Sequence, residues 1–153
     1  MSSILRCTSC GAQHTVQPAA AEPPRCPDCG ALVPWLVAAL VETFDEEAGI
    51  SRPLPVPVLV DFWAAWCTPC RFVTPLVARA ARDHAGRLKV VKVNADRVPE
   101  VADRYRLLSL PTLSLLVNGE EVDRVTGMIP PPAFEEFLAP YLAPAPAAPP
   151  ASR

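Results

Sequence analysis

The chain has 153 residues, half of them apolar and a fifth charged, with a formal net charge of −2. A chain of that length buries roughly two-thirds of the surface it exposes when unfolded, enough for one ordinary domain with at most a small appendage. The composition excludes wholesale disorder, and the charge excludes a basic field that would draw the chain to nucleic acid or to an anionic membrane.

Met1 to Cys7 shows no apolar stretch of the signal-peptide kind. The longest apolar run, Leu32 to Val41, is about half of a membrane span and contains Pro34. The expectation is a soluble cytoplasmic protein. In such a reducing compartment, closely paired cysteines read as metal ligands or redox thiols before they read as structural disulfides. All six cysteines fall into Cys-x-x-Cys pairs: Cys7/Cys10, Cys26/Cys29 and Cys67/Cys70.

Residues 1–34 are poor in aliphatic side chains and need a staple to hold a fold. Cys7-Thr-Ser-Cys10-Gly11 and Cys26-Pro-Asp-Cys29-Gly30 are two knuckles separated by 15 residues. Four thiolates at this spacing predict a closed tetrahedral Zn²⁺ site, structural because no position is left open for chemistry. Iron in the same site and two structural disulfides are the alternatives, and His14 between the knuckles offers a fifth donor. Gly11 and Gly30 permit the tight turn that aims backbone N–H groups at sulfur. Zinc thiolates are oxidisable, so oxidative stress is expected to eject the metal.

A helix is expected around Thr43 to Ala48, with Thr43 as its cap and Glu46 completing a capping box. The proline-rich connector Ser51 to Pro57 follows. Val58-Leu-Val-Asp-Phe-Trp63 and Leu88-Lys-Val-Val-Lys-Val93 are continuous apolar runs of strand length, the pattern of strands covered on both faces. Between them, Phe72, Leu76, Val77 and Ala80 recur at a helical period, and Pro75 should kink that helix. A short helix is expected from Val98 to Tyr105. Thr112 to Val117 and Glu121 to Thr126 are two strands joined by Asn118-Gly119, a strong hairpin signal. Pro132 to Leu142 predicts a last amphipathic helix, with Phe134, Phe137, Leu138 and Tyr141 on one face. This order predicts an α/β fold with a mixed central sheet and helices on both faces. Residues 143–153 are Ala/Pro low complexity, predicted to be disordered.

Cys67-Thr68-Pro69-Cys70 sits where a buried strand meets a helix. Free N–H groups and the positive dipole end of the first turn stabilise a thiolate at Cys67. Pro69 fixes that turn without losing a hydrogen bond. Cys67 is expected to be exposed at the helix tip and Cys70 shielded one turn in. No Gly-rich phosphate loop follows a strand, so no bound nucleotide is expected.

Val58-Leu-Val-Asp-Phe-Trp-Ala-Ala-Trp-Cys-Thr-Pro-Cys-Arg71 resembles the active-site segment of the thioredoxin family. The resemblance continues through Pro75, Lys92-Val-Asn-Ala-Asp96, Leu110-Pro-Thr-Leu113 and Asn118-Gly119 to Thr126-Gly127, covering roughly residues 35–142. The knuckles resemble the zinc ribbon that precedes the catalytic domain in one bacterial class of that family. The resemblance implies a thioredoxin fold over 35–142 behind a ribbon over 1–34. It implies that Cys67 is the nucleophile, Cys70 the resolving thiol, Asp61 the proton-transfer group beneath them and Lys92 its modulator. It also implies a cis bond at Pro111 and a substrate groove formed with Trp66, Thr68, Pro69, Leu110 and Gly127. The implied partners are disulfide-bearing proteins and an NADPH-dependent thioredoxin reductase, with the chain acting as a monomer. Thr68 stands where the common thioredoxin has glycine, so the resemblance fixes the chemistry better than the redox poise. A disulfide isomerase or oxidant, and a non-catalytic binding module on the same fold, are the competing readings.

Overall fold

The computed structural model describes residues 2–18 and 20–144; the tail reading from residue 145 onward lies outside them. Strands β1 (Ser3–Arg6) and β2 (Gln13–Val16) pair antiparallel on either side of the first knuckle. β3 (Trp35–Ala38) and the one-turn helix α1 (Phe44–Glu47) follow the second knuckle. The remaining elements are β4 (Val58–Trp63), α2 (Cys70–Asp83), β5 (Lys89–Asn94), α3 (Pro99–Arg104), β6 (Thr112–Val117), β7 (Glu120–Thr126) and α4 (Pro131–Leu138).

The five later strands form one mixed sheet in the order β3-β5-β4-β6-β7. β5 lies parallel to both β3 and β4, whereas β6 is antiparallel to β4 and to β7. The two doubly apolar runs thus occupy the middle of the sheet, where both faces are covered. Alternate residues then sort into two cores. Val58, Val60, Phe62, Val91 and Val93 face Trp35, Phe44, Val101 and the ribbon residues Leu5 and Val16. Leu59, Val90 and Leu113 face Val73, Val77 and Ala80 of α2 and Phe134, Phe137 and Leu138 of α4. Asn118 and Gly119 have φ values of 53° and 80°, as a two-residue type I′ hairpin requires.

Several expectations are corrected. β3 carries no clear strand pattern in the sequence, because Pro34 and the Leu-Val-Ala composition mask it, yet it forms one edge of the sheet. Thr43 makes no side-chain cap to α1; its Oγ1 accepts the Leu40 N–H at 2.9 Å, so no capping box forms. Phe72 lies off the buried stripe of α2, 63% exposed, and Val73 takes the inward position. α4 ends at Leu138 and tightens into a 3-10 turn over Ala139–Tyr141, because Pro140 has no N–H for an α-helical bond.

Candidate functional site

β4 is the central strand, and the chain leaves its end through Ala64-Ala-Trp66 into the Cys67-Thr-Pro-Cys70 turn that opens α2. Pro69 is the helix N-cap and Cys70 its first residue. Cys67 and Cys70 are joined as a disulfide, with Cα atoms 5.4 Å apart. The Cys70 backbone N–H donates to Cys67 Sγ at 3.2 Å. This first-turn donor, which needs no carbonyl within the helix, is a group that would hold a thiolate on Cys67. The first turn carries no acidic residue, and Arg71 follows Cys70. Against expectation, Cys67 is not the more exposed sulfur residue: in the disulfide form it is 3% exposed and Cys70 4%, packed against Ala64, Trp63 and Leu110.

Asp61 follows the β4 alternation onto the face of Leu59, the face that α2 covers. It is 1% exposed, and among the described residues neither carboxylate oxygen has a hydrogen-bond partner. Burial pushes its carboxyl up to about 6 from an ordinary 3.8, and the nearby Lys92 ammonium partly offsets that rise. Lys92 is directly opposite Asp61 in the β4–β5 register, with its Nζ 5.2 Å from the centre of the Trp63 ring.

The Leu110–Pro111 bond is cis. The Pro111 carbonyl accepts the Gly127 N–H at 2.8 Å, tying the loop before β6 to the residue after β7. Gly127 has φ +89°, and a Cβ there would meet nothing within 4 Å, so its backbone faces open space. Trp66 is exposed, and its Nε1–H donates to Asp96 Oδ2 at 2.9 Å. Asp96, thirty positions away, was visible in the sequence as part of a motif but without a partner. A cleft of about 290 Å³ opens between Trp66, Asp96, Arg106, Leu108 and Leu110. A second groove, of about 420 Å³, lies between Phe72 and Leu76 on α2 and Met128 and Ile129 before α4. Leu108, Phe72 and Met128 had no signal in the sequence, because an apolar residue at helical or loop spacing ordinarily reads as core; all three are exposed. Thr68 and Pro69 are also exposed, within the turn.

The second constellation is in the ribbon. The Sγ atoms of Cys7, Cys10, Cys26 and Cys29 lie within 4.8 Å of one another, in a set that does not include His14. Cys7 and Cys26 are buried and Cys10 and Cys29 exposed. Gly11 and Gly30 both take positive φ, 80° and 76°. The Gly11 N–H donates to the Cys7 carbonyl and the Gly30 N–H to the Cys26 carbonyl, and the Ser9 N–H donates to Cys7 Sγ at 3.4 Å. The backbone N–H of Cys10 is the main cause lowering the Cys7 thiol to about 6. The backbone N–H of Ala12 draws Cys10 down, but the Cys26 thiol, burial and the other two sulfurs outweigh it and push it up to about 12. Cys29 is raised as well: the Ala31 N–H lowers it, but the Cys7 sulfur and burial prevail. Four sulfurs this close cannot all ionise unaided, and a divalent cation among them removes that repulsion. The donor set therefore fits a thiolate-bound metal.

Among the described residues no helix is long and apolar enough to cross a membrane. The thioredoxin family model matches residues 36–140. Thioredoxin 1 of Synechococcus elongatus is 46% identical over 108 residues, covering 69% of this chain and 98% of that protein. Thioredoxin 1 of a Nostoc species is 48% identical over 87 residues, 57% of this chain and 81% of the relative. An M-type chloroplast thioredoxin of Pisum sativum is 42% identical over 86 residues, 56% of this chain and 50% of the relative.

Proposed function

This chain belongs to the thioredoxin family, a family of disulfide oxidoreductases, and on that premise we propose that it reduces disulfides of protein substrates in the cytoplasm. The observation that carries the reading is the Cys70 N–H directed at Cys67 Sγ at the head of α2, with an unpartnered Asp61 on the sheet face beneath that helix. In the reduced protein, the Cys67 thiolate attacks one sulfur of the substrate disulfide. The new bond is a mixed disulfide, and the other substrate sulfur leaves as a thiolate. Cys70 then gives its proton to the Asp61 carboxylate and attacks Cys67 Sγ. The second substrate sulfur leaves, and the 67–70 disulfide closes. The substrate has gained two electrons, which a thioredoxin reductase using NADPH restores to this chain.

A group buried to a pKa near 6 is ionised at neutral pH yet close enough to neutrality to accept a proton, which suits it to this transfer. Lys92 holds the carboxylate in range. The backbone around Leu110 and Pro111, opposite the open Gly127, suits an extended substrate segment added as a strand. Trp66, Thr68 and Pro69 line its approach. The exposed Phe72, Leu108 and Met128 give that surface an apolar rim, so extended segments with apolar side chains beside the disulfide are the fitting substrates.

Cys7, Cys10, Cys26 and Cys29 would hold one Zn²⁺, and the chemistry it supplies is structural, a cross-link between the two knuckles. Residues 1–34 then act as a ribbon appended to a redox domain over 35–142. A monomeric state in a reducing compartment belongs to the same reading, since it keeps four unpaired thiols available to metal.

Trapping tests the assignment of roles. The Cys70→Ser variant should accumulate a mixed disulfide with a disulfide-bearing peptide, because the resolving thiol is gone. The Cys67→Ser variant should form none. Stable adducts through Cys70 in the Cys67→Ser protein would reverse the roles. Undiminished cellular function of the Cys67→Ser protein, with its disulfide-reducing activity lost, would replace the enzyme with a binding module.

A further inference from the structure

The redox site leaves one buried ion pair unused, on the opposite face of the sheet. Lys89 opens β5 and, by alternation, lies on the side of Val91 and Val93 rather than that of Lys92. Lys89 is fully buried and Glu47 of α1 is 3% exposed. The Lys89 Nζ donates to Glu47 Oε1 at 2.7 Å and to the Pro18 carbonyl at 2.8 Å, and it stands 4.6 Å from the centre of the Trp35 ring. Glu47 Oε2 accepts the Ser3 hydroxyl at 3.1 Å. Two of these partners, Ser3 and Pro18, belong to the ribbon segment; Glu47, Lys89 and Trp35 belong to the sheet and its first helix.

A buried ammonium is tolerated when its protons have acceptors and its charge a partner. Lifting the ribbon away would strip an acceptor from Lys89 and a donor from Glu47 together. The rest of the contact is apolar: Leu5, Cys7, Val16 and Cys26 join Val33, Trp35 and Phe44 in one cluster. Apolar contact is non-directional and does not by itself choose one orientation for a hairpin of two four-residue strands. The buried pair does choose, because any other placement of the ribbon leaves Lys89 without the Pro18 acceptor and Glu47 without the Ser3 donor. Burial holds the Lys89 amine below its ordinary range, and Glu47 draws it back.

We propose that the Lys89–Glu47 pair, completed by the Pro18 carbonyl and the Ser3 hydroxyl, is a latch that fixes the amino-terminal ribbon in one orientation on the sheet, and that breaking it frees the ribbon while the redox face stays in place. The inference rests on this interface and is independent of the substrate reading above. Lys89 and Lys92 lie on opposite faces of the same strand, so the latch is open to change without touching the neighbour of Asp61.

Hydrogen–deuterium exchange on the full-length, metal-loaded protein tests it, with metal content and the potential of the 67–70 couple measured on each variant. In Glu47→Gln and in Lys89→Met, the segment 2–18 should exchange at least about tenfold faster, while β4 and α2 change by less than about twofold. The double variant should be no looser than the worse single one, because each single change already breaks the same pair. Should Lys89→Met fail to fold, Ser3→Ala, which removes one half-buried hydroxyl, should still speed exchange in 2–18 by about threefold and nowhere else. Unchanged exchange in 2–18, equal acceleration in β4 and α2, or strictly additive single effects would each overturn the latch.

Discussion

Asp61 sits in the sheet at a cost to folding. Its carboxyl is raised from 3.8 to about 6, chiefly by burial. A native carboxyl with a raised pKa binds its proton more tightly than the unfolded chain does, so stability falls as pH climbs from about 4 through 6 and is level above that. Each pKa unit is worth about 1.4 kcal/mol, so the penalty at neutral pH is about 3 kcal/mol. Asp61→Asn should therefore stabilise the oxidised protein by about 2–3 kcal/mol at pH 7 in urea unfolding, with the gain vanishing by about pH 4. It should also slow closure of the 67–70 disulfide from a trapped mixed disulfide, since Cys70 then lacks its proton acceptor. A gain that persists at pH 4 would locate the cost in something other than ionisation. Asp61 was legible in the sequence because a charge inside an apolar strand demands a reason. The bond from Trp66 to Asp96 was not, because it joins two loops whose meeting depends on the register of β4 with β5.

At the scale of elements, the β6–β7 hairpin meets the turn after α1. Gly119 has φ +80°, and a Cβ there would stand 2.9 Å from the Gly49 carbonyl oxygen. Gly127 has a similar φ and open space. Both alanine substitutions carry the backbone penalty of about 1–2 kcal/mol, and Gly119→Ala should lose measurably more in urea unfolding because a backbone atom must move as well. Equal losses would mean that the hairpin and the Gly49 turn shift apart freely. On α2, Phe72→Ser should leave stability within about 0.5 kcal/mol, because the ring is 63% exposed. The same change should raise KM for a disulfide peptide with flanking apolar residues about fivefold, with kcat retained. An unchanged KM would remove the Phe72 groove from the docking surface. Helical period alone had placed Phe72 in the core with Leu76, Val77 and Ala80; Val77 and Ala80 are buried and Leu76 partly so, but Val73 takes the inward place of Phe72. β3 and the local hydrogen bonding of Thr43 were equally hidden, since an edge strand in a Pro-flanked segment forms through its pairing with β5 rather than through its own pattern.

For the whole molecule, the mixed sheet with helices on both faces was readable from doubly apolar strands, one strong hairpin signal and the strand–helix order. How the ribbon packs was not, because its polar contacts, Pro18 with Lys89 and Ser3 with Glu47, span 71 and 44 positions and none of these residues has a local signature. The ribbon should carry one zinc per chain. Removal by a chelator should unprotect residues 2–18 while β4 to β7 persist, read by hydrogen exchange. Peroxide at concentrations that oxidise the 67–70 dithiol should also release zinc, followed with a chromogenic chelator. No release under those conditions would make the ribbon a redox-inert staple.

The measurement that bears most directly on the reductase reading is the reduction potential of the Cys67–Cys70 couple, followed by Trp66 fluorescence across anaerobic thiol redox buffers. A reductase should show a value close to the about −270 mV of thioredoxin, which makes the dithiol a net reductant in the cytosol. A value about 100 mV more oxidising would mean a dithiol favoured by roughly 4–5 kcal/mol more, and would contradict that account in favour of a disulfide-forming or isomerising protein.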